Sequence, residues 1–166
     1  MYSPARDFSL PVILFGNVLS AFMAIIYGWS LIELMWIYWG QSVAIGVTNF
    51  IRIMSLKEFS TENLTSNGKP VPETQAAKRS MAIFFAIHYG MFHMGYAVFL
   101  WQKMPLDGVG LSTAAAMIIC LSAFVISHSF SLSYNMSKDF KQKKPNLGTL
   151  MFYPYLRVIP MHMTII

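Results

Sequence analysis

Apolar residues run along this chain in blocks long enough to cross about 30 Å of hydrocarbon, which takes roughly 20 helical residues. Such blocks begin near Leu10, Trp29, Ser80 and Val109 and predict four spans, at about 10–27, 29–54, 80–101 and 109–134. The link Tyr27-Gly28-Trp29 is so short that the first two spans should form an antiparallel hairpin. A polar stretch from about Ser55 to Arg79 follows, broken by Asn67-Gly68, Pro70 and Pro72. Lys103 to Gly108 turns the chain between the third and fourth spans, and a basic loop, Lys138 to Pro145, follows the fourth. A fifth apolar stretch, 154–166, would rise only about 20 Å as a helix. It predicts a half-span or, the reading preferred here, a truncated helix of a longer protein, because Met163 to Ile166 carries no stop signal. The expected fold is all-α: a single polytopic transmembrane bundle over 1–166, with four full spans and a fifth, C-terminal one.

Composition supports a membrane setting. Of 166 residues, 55% are hydrophobic and 11% charged, and the mean hydropathy is +0.50. That is more apolar surface than a soluble domain of this size buries. The N-terminal residues lack the basic region and cleavage site of a secretory signal, so the first span should be retained. The single cysteine, Cys120, sits in an apolar run and has no intrachain partner for a disulfide. The formal charge of +5 does not point to nucleic acid, because the basic residues cluster in the loops.

Loop charge also sets an orientation. Arg52, Lys57, Lys69, Lys78 and Arg79 lie between spans two and three, and Lys138, Lys141, Lys143 and Lys144 after span four, against Lys103 alone on the other side. Both basic loops and the N-terminus are therefore expected on the cytoplasmic face of a prokaryotic plasma (inner) membrane. On that face Asn63-Leu64-Thr65 and Asn135-Met136-Ser137 carry no glycan. No internal repeat suggests an inverted-repeat transporter.

All four histidines, His88, His93, His128 and His162, fall in or at the mouth of apolar segments. An imidazole in hydrocarbon must be hydrogen-bonded or coordinated, which makes each a functional-site candidate. Counted from the cytoplasmic helix ends, His88, His128 and His162 lie at depths of roughly 9–12 Å. Three imidazoles in one layer with an open fourth position suit Zn²⁺ first, then copper or non-haem iron. His93 lies about five residues deeper and about 140° around the helix from His88, so it belongs to a second site or supports the first. In span two, Glu33, Tyr38, Gln41 and Asn49 are the polar residues able to support such a site, although Glu33 could equally reach the headgroups. Interhelical hydrogen bonding is the bland alternative at every one of these positions. The thirteen methionines, Met91, Met94, Met161 and Met163 among them, read as apolar filler before they read as copper(I) ligands.

The residues from Tyr38-Trp39-Gly40-Gln41 through Gly46 and Asn49, together with His88 to His93, Ser127-His128 with Ser131 and Asn135, and Pro154 to Arg157 with His162, form an ordered set. This set resembles a family of uncharacterised prokaryotic multi-pass membrane proteins, the domain of unknown function numbered 6498. The resemblance covers nearly the whole chain from Trp29 onward. It implies architecture rather than chemistry, and members often carry glutamate where this chain has Gln41. Its pattern also continues past His162.

The expected function is therefore an intramembrane transition-metal site, with His88, His128 and His162 as ligands and His93 and Gln41 next. A membrane metalloenzyme is one form of it, and neither catalytic residues nor a substrate can be read. The alternatives are b-type haem between His88 and His128, a metal or proton transporter, and a structural membrane module. The lipid bilayer is the expected partner, a homo-oligomer stays open, and nucleic acid is excluded.

Overall fold

The computed structural model describes residues 9–103, 109–139, 144–156 and 158–159. The described residues are mostly helical, 78%, and form five helices and a minor sheet. The helices are α1 (Ser9–Tyr27), α2 (Leu31–Ser55), α3 (Gln75–Lys103), α4 (Leu111–Asp139) and α5 (Leu147–Phe152). Strands β1 (Thr65–Ser66) and β2 (Lys69–Pro70) pair as an antiparallel hairpin. Its turn is Asn67-Gly68, both at positive φ, the conformation a type I′ hairpin turn requires. Among the described residues α3 and α4 are long and apolar enough to cross a membrane. Helix α2 has the length, but it carries Glu33, Gln41, Asn49 and Arg52. The expected fifth span lies mostly outside the described residues; α5 precedes it and ends beside Pro154.

The junction between α1 and α2 follows from local chemistry. Gly28 adopts φ +58°, and the amides of Gly28 and Trp29 donate to the carbonyls of Ile25 (3.3 Å) and Ala24 (2.9 Å). Together these close a Schellman turn. Two residues later Ser30 caps α2: its hydroxyl accepts from the Glu33 amide at 3.3 Å. The Glu33 carboxylate accepts from the Ser30 amide at 2.6 Å, which completes a capping box.

Helix α2 is the hub, packing against α3 and α4, while α1 packs mainly on α4. Glycines on α2 allow both approaches. A Cβ on Gly40 would stand 2.6 Å from Leu121 of α4, and one on Gly46 2.5 Å from the ring of Tyr89 on α3. Two cores result. One joins Met35, Trp36 and Ile37 of α2 to Leu100, Met117 and Cys120. The other joins Ile53, Phe85 and Tyr89 to Leu147, Leu150 and Met151 at the opposite end.

That second end is closed by the 55–74 segment and α5. Ser60 accepts the Leu147 amide at 2.8 Å and donates its own to Pro145 at 2.9 Å. Asn146 caps α5 through the Thr149 amide at 2.9 Å. Helix α3 begins at Gln75, before the expected Ser80, so Lys78 is a helix residue rather than a loop charge. Its buried ammonium donates to the carbonyls of Met54 (2.9 Å) and Leu56 (2.6 Å), a cation set at the C-terminal end of α2.

Candidate functional site

Helix α3 carries Tyr89 and His93 one turn apart on the side facing α2, where both are buried. The rings stack with centroids 4.2 Å apart. His93 Nδ1 lies 2.8 Å from the Tyr89 carbonyl oxygen, and since a carbonyl only accepts, Nδ1 carries the hydrogen. Nε2 is buried and has no hydrogen-bond partner. The His93 carbonyl accepts the Trp39 indole N–H at 2.8 Å, which ties this turn of α3 to α2. The Tyr89 hydroxyl is 2.7 Å from Ser42 Oγ and donates to the Ser42 carbonyl at 3.0 Å.

Beside these residues runs a groove of about 210 Å³ between α2 and α3. Val43, Gly46, Val47 and Phe50 form one wall, and Phe85, Ala86, Tyr89, Gly90 and His93 the other. Val47, Ala86 and Gly90 are exposed, so the groove opens sideways through the bundle's outer surface.

The other expected site residues have contacts of their own. His88, also on α3, is half-buried with Nδ1 2.8 Å from the Tyr155 hydroxyl, and its ring stacks on Phe84. His128 lies on α4 against Phe124, with centroids 4.3 Å apart. Helix α2 packs against both α3 and α4, the helices that carry these two histidines. His162 lies outside the described residues. Among the described residues, no group of three His, Cys, Asp or Glu side chains is placed to hold a metal ion.

The candidate supporting residues join elements of the fold. Gln41 is buried and donates to Ser20 Oγ of α1 at 3.1 Å. Asn49 donates to the Leu150 carbonyl of α5 at 2.9 Å. Glu33 closes the capping box, and Tyr38 is exposed. Sequence reasoning passed over Ser30, read Lys78 as a loop charge, and met Tyr155 only within the family resemblance. Ser30 was legible in the Ser30-x-x-Glu33 spacing, whereas Lys78 and Tyr155 carried no local signal.

The described residues thus define a helical bundle in which two helices are apolar and of membrane length and one of these carries a buried histidine. The chain belongs to a family of unknown function, DUF6498, whose model matches residues 2–166. No curated protein and no solved structure matches it.

Proposed function

We propose that this chain is a multi-pass protein of a prokaryotic plasma membrane that binds a ligand at a histidine centre inside the bilayer. The outward faces of the helices support the membrane setting. Ile87 and Met94 of α3 are 69% and 68% exposed, and Ile126 of α4 69%. They belong to continuous apolar surfaces that water would penalise and lipid would cover. Loop charge supports four spans with the N-terminus and both basic loops in the cytoplasm. In a Cys120→Ala background, cysteines at positions 69, 103 and 141 test this with an impermeant thiol reagent on intact cells, position 69 being exposed. Labelling is expected only at 103, and labelling at 141 with none at 103 would invert the topology.

One observation carries the binding reading: His93 is buried, its Nδ1 hydrogen is committed to Tyr89, and its Nε2 is left without a partner. A buried polar atom in that state is costly, and a bound group removes the cost. The locked ring favours a second reading, a transition-metal ion, because metal-ligating histidines hold their other N–H on a carbonyl or carboxylate in this way. Zinc is the first candidate, followed by copper and iron, then haem. Metal analysis of protein purified without chelator tests it, about one equivalent per chain being the expected content for this reading. Metal lost with His88→Ala, His128→Ala and His162→Ala would assign it to the three-histidine layer. Loss with His93→Ala would assign it to the groove, and less than about a tenth of an equivalent would remove the metal reading.

A further inference from the structure

We infer that the groove between α2 and α3 receives a lipid-soluble molecule bearing a hydroxyl group, whose hydrogen is accepted by His93 Nε2. The inference rests on His93 as the ligand-binding imidazole and names what it binds. The lining supplies the argument. Seven of its nine residues are Val, Gly, Phe or Ala, and the polar side chains are those of Tyr89 and His93. The Tyr89 hydroxyl is engaged with Ser42. That leaves Nε2, which is a bare acceptor while the ring is neutral and calls for a donor.

The donor's chemistry is narrowed by what the groove lacks. No aspartate or glutamate lines it, so an ammonium group would enter without a counter-charge. A metal ion needs three or four ligands, and this lining offers one imidazole. A water molecule needs two to four polar partners, which these walls do not provide. A plain acyl chain fits the walls but leaves Nε2 unmet. A hydroxyl on an apolar body meets both conditions. Its size is bounded too, since about 210 Å³ admits a ring or a short length of chain rather than a large planar cofactor. Entry is lateral, past Gly90, where even an added Cβ would meet nothing within 4 Å.

A matched pair of photoreactive probes tests this on the full chain in nanodiscs: a diazirine-bearing long-chain alcohol and its methyl ether. The alcohol should label the α2 and α3 peptides that line the groove about five- to tenfold more than the ether, the worth of one buried hydrogen bond. His93→Phe should bring the alcohol down to the ether's level, and His93→Gln, which keeps an acceptor, should restore part of the difference. Gly90→Leu should reduce labelling by both probes, and the branch point of its side chain enters without a clash, since a Cβ at Gly90 meets nothing within 4 Å. Equal labelling by the two probes in the parent chain, or an excess that survives His93→Phe, overturns the inference. So does labelling that falls only outside the groove. Metal that depends on His93 while alcohol labelling does not would defeat this inference and leave the histidine centre standing. If neither metal nor alcohol depends on His93, then His93 is not the ligand-binding imidazole, and a centre stands only if metal is lost with His88→Ala, His128→Ala and His162→Ala.

Discussion

Gly46→Leu should lower the stability of the protein by about 3 kcal/mol, the upper end of what overpacking costs. The first carbon of the new side chain would stand 2.5 Å and 2.7 Å from two ring carbons of Tyr89. That ring cannot step aside cheaply. Its hydroxyl is held by Ser42, and its faces pack on Phe85 at 5.2 Å and His93 at 4.2 Å between centroids. The helices must therefore part, and the His93 side of the groove moves with them. Thermal unfolding in detergent checks this, with Gly90→Leu as the control of equal added volume. Equal midpoints for the two variants would show that Gly46 does not set the approach of α2 and α3.

Removing the Lys78 ammonium should cost about as much. Lys78→Ala leaves the carbonyls of Met54 and Leu56 at the end of α2 without their donor, the first partly buried and the second buried, at roughly 1–3 kcal/mol for the buried acceptor. The same residue predicts a pH dependence. Burial first, and the neighbouring Arg79 charge second, hold its pKa below the ordinary 10.5. The unfolded chain then binds the proton more tightly, so this group's penalty is constant below its folded pKa. The penalty fades as pH rises from there to 10.5. The neutral amine still has two hydrogens for two carbonyls. Parent protein should thus gain stability relative to Lys78→Met on raising the pH through that window. A difference that stays flat or shrinks would contradict the buried position of Lys78.

Much of the helical framework was legible because apolar runs and turn residues are local signals. The 10–27 and 29–54 runs lie within a few residues of α1 and α2, and Gly28 marks their junction as the left-handed residue of a Schellman turn. Starts and partners were harder to read. Lys78 looked like a loop charge because the hydropathy pattern begins at Ser80, whereas the backbone is helical from Gln75. Gln41 and Asn49 stood out as polar residues in an apolar run, but nothing local says that their partners are Ser20 and the Leu150 carbonyl. The histidines show the same division. Residue counting placed His93 deeper than His88 and on a different side of the helix, and the two do have different partners, Tyr89 and Tyr155. That Tyr89 locks the ring while Nε2 is left over depends on how α3 is turned toward α2, which no spacing rule fixes.

The position of α1 carries a consequence for the order of folding. Helix α1 ends at Tyr27, yet its main packing partner, α4, begins only at Leu111. During synthesis α1 leaves the ribosome first and waits for α4, while α2 and α3, neighbours in sequence, can already dock. The docking of α4 onto α1 is then a late step, a closure of high sequence separation. Chains released at Lys103 should hold the α2–α3 pair while a cysteine at Ser20 stays reactive. Chains released after Asp139 should bury it, and protection of that cysteine in the shorter chain would reverse the order.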